Sequence, residues 1–187
     1  MQPQIILITG ASSGFGKITA QMLSEQGHIV YGTSRKPSEN IGKVRMLVVD
    51  VTNSISVRQA VEQIISEQGR MDVLINNAGM ELATEEEVSM QMNTNFFGVV
   101  NMCKAVLPYM RKARRGKIIN ISSIGGVMGI PYQGFYSASK FAVEGYSRIS
   151  SQQNDRHRLM KMFKDAGMGC YEWVNDADSG SPDTSQL

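Results

Sequence analysis

Short apolar runs alternate with longer amphipathic ones through residues 1–146, the pattern produced by parallel strands joined through crossover helices. Residues 5–9, 28–33, 44–50, 73–76 and 117–121 are rich in Ile and Val and mostly lack polar alternation. That predicts strands buried on both faces, hence a parallel α/β sheet of five recognisable strands. Helices are predicted over 15–25 and 55–68, closed by Gly27 and Gly69 at places that suit a left-handed C′ residue. Thr84 and Glu87 have capping-box spacing and open a long helical segment running to about Lys112. Within it Met90, Met92, Phe96, Phe97 and Met102 sit at core-like spacing, so they are expected to pack rather than to form a cofactor box.

The character of the chain changes after Tyr146. The stretch SRISSQQNDRHR is polar, LMKMF is a brief apolar cluster, and NDADSGSPDTSQL has the Ser, Asp, Gly and Pro content of a frayed tail. The expected organisation is one domain over 1–146 and a divergent tail over 147–187. A length of 187 residues at 42% hydrophobic content supports one sizeable core and is short for two. Charge narrows the partners, because 19 basic and 17 acidic residues leave only +2, which gives no phosphate-backbone footprint. The cluster RKARR over 111–115 reads as dipole complementation at a helix C-terminus. Cys103 and Cys170 form no CxxC or Cys/His cluster, so neither a metal site nor a disulfide framework is expected, and a reducing cytoplasm fits. The N-terminus passes almost directly into IILITG and no apolar run approaches bilayer length, so a soluble, unexported protein is expected.

Candidate chemistry begins with ILITGASSGFGKITAQML, which places Gly10, Gly14 and Gly16 where a buried strand turns into a helix. Gly10 permits the sharp exit, Gly14 lets backbone amides approach a pyrophosphate, and Gly16 allows close helix–strand contact. The helix N-terminus favours the anion, with Ser12 and Ser13 as added hydroxyl donors and Phe15 beside them. The spacing G-x3-G-x-G, the NNAG at 76–79 and the YSASK at 136–140 follow one another in the order found in the short-chain dehydrogenases/reductases. Over roughly residues 4–146 the chain resembles that family. The resemblance implies a doubly wound, Rossmann-like sheet with a dinucleotide across the carboxyl ends of its strands.

At the end of the second strand a dinucleotide fold commonly carries an acid that holds ribose hydroxyls. Here VYGTSRKP places Ser34, Arg35 and Lys36 instead. A guanidinium can pair with a 2′-phosphate through two parallel hydrogen bonds, so NADP(H) is favoured over NAD(H); the other reading is that Arg35 solvates a turn. By the resemblance, Asp50 contacts adenine, Val51 supplies neighbouring backbone, and Asn77, Ala78 and Gly79 line the cofactor. Asn76 has a role in the central sheet at least as well supported.

Tyr136 and Lys140 lie four apart in a segment of helical character and project from one face. A phenol ordinarily ionises near pH 10. An ammonium about 4 Å away, at an effective dielectric near 20, stabilises a phenolate by about 4 kcal/mol. By the resemblance, Ser123 hydrogen-bonds a substrate carbonyl, Asn95 supports a water-linked relay to the lysine, and Tyr136 transfers a proton while hydride passes between nicotinamide and carbonyl. Lys140 also holds the nicotinamide ribose. Taken singly, Ser123 is a strand-end serine and Asn95 an ordinary helix residue. His28 and His157 are set aside, the first opening a strand and the second lying in the tail.

Two departures from the family pattern bear on function. Fifteen residues separate Gly79 from Asn95, fewer than usual, and the tail from Arg148 shows neither an apolar strand run nor the Pro-Gly turn that follows in relatives. The tail reads as an unrelated extension or a shifted frame. The fifth strand is then expected to be an edge, the catalytic helix to expose apolar surface, and the family's homo-oligomer to be doubtful. Two functions stand side by side. One is an oxidoreductase acting on a small carbonyl or alcohol, and the other is an NADP(H)-binding protein or inactive fragment.

Overall fold

The computed structural model describes residues 2–81, 87–154 and 170–174. Strand β1 (Ile5–Ile8) leads to helix α1 (Gly14–Glu25), then β2 (Ile29–Ser34), β3 (Arg45–Val48), α2 (Ser54–Gln68) and β4 (Val73–Asn76). Helix α3 (Val88–Met92), a π-helical segment (Asn93–Phe97) and α4 (Gly98–Ala113) follow. The chain then forms β5 (Lys117–Ile121), a 3-10 turn (Ile124–Gly126), α5 (Gly134–Asn154) and β6 (Cys170–Val174).

Sheet order is β3-β2-β1-β4-β5-β6. The first five strands pair in parallel, as the sequence predicts. Strand order reverses between β1 and β4, which creates a crevice at the carboxyl ends of those strands. Strands β1 and β4 are buried at every position, which accounts for their apolar sequence, broken only by Asn76 at the end of β4. Their side chains alternate between two cores. Leu7 and Leu74 pack with Val57 and Ile64 of α2 and Val106 and Met110 of α4, whereas Ile8 and Ile75 pack with Ala20 of α1 and Val30. Gly27 and Gly69 adopt the positive φ expected of helix-ending glycines.

Two expectations change. β5 is not an edge, because β6 pairs with it antiparallel from Ile121↔Cys170 to Lys117↔Val174. The sequence CYEWV is short and flanked by polar residues, so its aromatic and β-branched content is outweighed by its surroundings when composition is averaged. An unpaired β5 backbone would favour any compatible segment laid alongside it. The long segment before Lys112 is also not one α-helix. The π-helical turn inserts an extra residue and rotates what precedes it, so a single 3.6-residue period misassigns faces. Met102 is buried and Phe96 packs on the core, but Met90 and Phe97 are about half exposed, at 51% and 49%. The proposed cap Thr84, His157, the cluster at 159–163 and the tail at 175–187 lie outside the described residues.

A buried polar ladder ties the last helix to the sheet. Asn76 Nδ2 donates to Asn120 Oδ1 at 2.8 Å, Asn120 Nδ2 donates to Ser147 Oγ at 2.8 Å, and Ser147 Oγ donates to the Val143 carbonyl at 2.7 Å. Asn76 thus has the structural role. Arg115 in the basic cluster pairs with Asp72 at 2.8 Å, whose other oxygen receives Arg70 at 3.0 Å and the Ile5 amide at 2.9 Å.

Candidate active site

The glycine-rich turn and NNAG meet at the strand crevice because each lacks side chains where the other must pass. Gly10 has φ +66, and a Cβ on it would lie 2.9 Å from Ala78 Cα. A Cβ on Gly16 would lie 2.4 Å from both Asn77 Nδ2 and the Gly10 carbonyl oxygen. Gly14 has φ +54 and open space about it. Thr9 fastens the two loops, its hydroxyl accepting from the Asn77 and Ala78 amides at 3.0 and 2.9 Å. Asn77 Nδ2 returns bonds to the Thr9 and Gly10 carbonyls at 3.0 and 3.1 Å. From β2, the Gly10 amide donates to Thr33 Oγ1 at 3.3 Å and the Ala11 amide to the Thr33 carbonyl at 2.9 Å.

The result is a cleft of about 420 Å³. Gly10, Ser12, Ser13, Phe15 and Gly16 line one wall, Ser34, Arg35, Lys36 and Val51 another, and Asn77, Ala78 and Gly79 the floor. Ser13 occupies the N-cap position of α1 without a side-chain capping bond, which leaves its hydroxyl to the cleft. Among the described residues Arg35 makes no ion pair, and it is exposed beside Lys36, whose amide donates to Ser34 Oγ at 3.3 Å. Gly14 and Asp50 do not line the cleft. The Asp50 carboxylate accepts from the Thr52 amide and hydroxyl at 2.9 and 2.7 Å, so it braces its own turn, while Val49 and Val51 reach the cleft.

The four proposed catalytic residues gather beyond Gly79. A Cβ on Gly79 would lie 3.4 Å from Asn95 Oδ1 and 3.7 Å from Lys140 Nζ, which puts the cluster next to the cleft rather than in its wall. Asn95, in the π-helical segment, is buried; its Oδ1 accepts from the Met80 amide at 2.8 Å and its Nδ2 donates to the Met80 carbonyl at 2.8 Å. The same Nδ2 donates to Ser139 Oγ at 3.0 Å, and Ser139 donates to the Tyr136 carbonyl at 2.7 Å. Asn95 therefore joins the chain after NNAG to the first turn of α5. Ser123 caps the 3-10 turn, accepting from the Gly125 amide at 3.2 Å. That turn packs on Tyr136, since a Cβ on Gly125 would lie 3.4 Å from Tyr136 Cδ1.

Lys140 is 6% exposed, and its Nζ donates to the Ile121 carbonyl at 3.0 Å while lying 5.8 Å from the Tyr136 ring centroid. Burial pulls its pKa below the ordinary lysine value, and the Glu144 carboxylate opposes that fall. The arrangement offers a phenol, a buried amine and a serine hydroxyl beside a nucleotide-sized cleft. Sequence reasoning missed Thr9, Thr33 and Ser139. Thr9 and Ser139 stand inside the quoted motifs TG and YSASK, but their bonds join segments far apart in the chain.

The pattern described as short chain dehydrogenase matches residues 4–162. That match continues past Tyr146 along α5, which runs unbroken to Asn154. A 3-ketodihydrosphingosine reductase of Bacteroides thetaiotaomicron is 96% identical over 153 residues, covering 79% of this chain and 57% of the relative. The FabG 3-oxoacyl-[acyl-carrier-protein] reductase of Thermotoga maritima is 36% identical over 169 residues, covering 82% of this chain and 69% of the relative. Among solved structures, ElxO with NADP bound superposes with a TM-score of 0.76 at 31% identity, covering 81% of this chain and 68% of ElxO. The chain thus spans little more than half the length of its 96%-identical relative. The motif order, the sheet topology and these likenesses agree, and the chain belongs to the short-chain dehydrogenase family of oxidoreductases.

Proposed function

We propose that the chain is an NADP(H)-dependent oxidoreductase interconverting a ketone and a secondary alcohol, with 3-ketodihydrosphingosine as the ketone. The observation that carries this reading is the buried Lys140 amine lying beneath the Tyr136 ring, adjoining the cleft through Gly79. The cleft fits a dinucleotide because it lies at the carboxyl ends of β1, β2 and β4 and is lined by Ser12, Ser13 and Phe15 at the N-terminus of α1. The turn Gly10, Ser12, Ser13, Gly14, Phe15 and Gly16 would hold the pyrophosphate at the helix N-terminus. Arg35, with Ser34 and Lys36, would hold a 2′-phosphate, which favours NADP(H) over NAD(H). Val51, beside the turn that Asp50 braces, would flank adenine, and Asn77, Ala78 and Gly79 would run beneath the dinucleotide.

The nicotinamide supplies or accepts the hydride. In reduction Tyr136 gives its phenolic proton to the carbonyl oxygen, and in oxidation the phenolate takes it back from the alcohol. Lys140, beside the Tyr136 ring, holds the ribose hydroxyls, while Ser123 donates to the substrate oxygen as charge develops there. Asn95 and Ser139 hold Tyr136 and Lys140 in register through the Met80 backbone and the first turn of α5.

The name of the 96%-identical relative supports the substrate, a ketone on a long alkyl chain. Exposed Ile124, Val127, Met128 and Phe135, between Ser123 and Tyr136, offer apolar surface to such a chain. No helix among the described residues is long and apolar enough to cross a membrane, and the buried free thiol of Cys103 suits a reducing cytoplasm. The test is NADPH oxidation with 3-ketodihydrosphingosine and a panel of simpler ketones, with Tyr136→Phe as control. Turnover well above the control supports the proposal. Binding of NADPH without such turnover would replace it with a non-catalytic nucleotide-binding role.

A further inference from the structure

Among the described residues, Lys140 at 6% and Glu144 at 3% exposure are the only charged side chains in the buried set. They stand four residues apart on α5, so they share a helix face. They do not bond to each other. Lys140 Nζ donates to the Ile121 carbonyl at 3.0 Å, and both carboxylate oxygens of Glu144 lack a hydrogen-bond partner.

The Glu144 side chain packs against the turn that carries Ser123. A Cβ on Gly126 would lie 2.7 Å from Ser122 Oγ, 3.0 Å from the Lys140 carbonyl oxygen and 3.1 Å from Glu144 Cγ. The bare glycine therefore seats the turn directly on α5 at this point. Ser122 Oγ, also buried, has no partner either. A carboxylate this far from water keeps its charge only beside a compensating cation. No other member of the buried set supplies one.

We propose that Glu144 is a positioning residue for Lys140, a buried counter-charge that keeps the ammonium ionised beneath Tyr136. Within the buried set of the described residues, the two charges are left to set each other's state. Tyr136 is the other ionisable group facing Lys140 on α5, and Arg148, one turn beyond Glu144, is exposed. From α4 comes Cys103, whose thiol burial pushes up to about 12, so it stays neutral. Strands β4 and β5 contribute Asn76, Asn120 and Ile121, the residue after β5 is Ser122, and the π-helical segment contributes Thr94 and Asn95, none of which titrates. Burial pulls the lysine pKa down, and Glu144 is the one charge that acts against it.

The consequence for turnover rests on the oxidoreductase reading, but the coupling of the two charges does not. The test is carbon-13 NMR of the full chain labelled at lysine Cε, with the Lys140 signal identified by its loss in Lys140→Arg. Glu144→Gln keeps shape and removes charge, and the Lys140 titration midpoint is expected to fall by roughly one pH unit. Glu144→Asp keeps the charge and is expected to leave the midpoint near that of the wild type. An unchanged midpoint in Glu144→Gln would overturn the proposal. If Glu144→Gln fails to fold, Glu144→Met, which fills the site without charge, is read the same way, and an unchanged Lys140 midpoint in it overturns the proposal equally. Intact coupling without NADPH-dependent turnover would sink the oxidoreductase reading alone, and turnover without coupling would sink this one alone.

Discussion

Replacing Gly10 by alanine separates backbone strain from loop packing when Gly42→Ala is run beside it. Both glycines have positive φ, +66 and +58, and an L-residue in that conformation costs roughly 1–2 kcal/mol. At Gly42 nothing lies within 4 Å of the new Cβ, so that strain is the whole expected loss. At Gly10 the Cβ also meets Ala78 Cα at 2.9 Å and Ala78 Cβ at 3.3 Å. The Ala78 backbone is held to Thr9 by its own amide and by that of Asn77 before it, so it cannot turn aside as a flexible side chain would. Overpacking of that kind adds roughly 1–3 kcal/mol. For a chain of this length the extra loss corresponds to a further drop of roughly 2–12 °C in Tm. Thermal unfolding followed by circular dichroism reads the difference, and NADPH fluorescence titration reads the cleft. Gly10→Ala should unfold at a clearly lower temperature than Gly42→Ala and bind NADPH more weakly. Equal Tm values for the two variants would refute the claim that the glycine turn and NNAG are packed backbone against backbone.

Arg35→Ala should raise the KM for NADPH roughly 10- to 100-fold, the loss of charge-assisted bonds to a phosphate, while leaving that for NADH nearly unchanged; equal effects on both would remove Arg35 from cofactor choice. Asn95→Ala deletes three hydrogen bonds and should cost about 2–4 kcal/mol in urea unfolding, with turnover falling as Tyr136 and Lys140 lose register; a cost near zero would contradict the joining role. Glu67 has its pKa lowered chiefly by the hydrogen bond from Tyr31, then by Gln63 and Arg45. Its contribution to stability is therefore complete above the ordinary value of 4.5 and is lost as pH falls through the lowered one. Tyr31→Phe should lower Tm by a constant amount above pH 5.5 or so, and by progressively less below about pH 4.5. A gap that stays constant into acid would exclude that linkage.

Much of the fold was legible because a parallel strand buried on both faces is apolar along its length, as IILI is throughout and VLIN is up to Asn76. Glycine positions were legible for a similar reason, since a backbone that must turn sharply or approach another closely excludes other residues. The strand β6 was not, because β pairing at an edge is decided by the partner strand and CYEWV has little local signal. The exposed faces of Met90 and Phe97 were not, because one π-helical turn breaks the period from which faces are read.

By itself, the sequence determined the order of the first five strands, the parallel sheet and the candidate roles of Gly10, Gly16, Tyr136 and Lys140, which depend on residue type at short spacing, while Ser123 was singled out by the family resemblance. Only the tertiary structure decided which groups support them. Thr9 reaches across 68 residues to the Asn77 amide, and Asn95 across 44 to Ser139. Glu144 is unremarkable in YSASKFAVEG until burial makes it, with Lys140, one of the two charged side chains in the buried set among the described residues. Hydrogen bonds and charges act through space, and their strength is set by the burial that folding imposes. Neither the partners nor the burial is encoded at any single position in the chain.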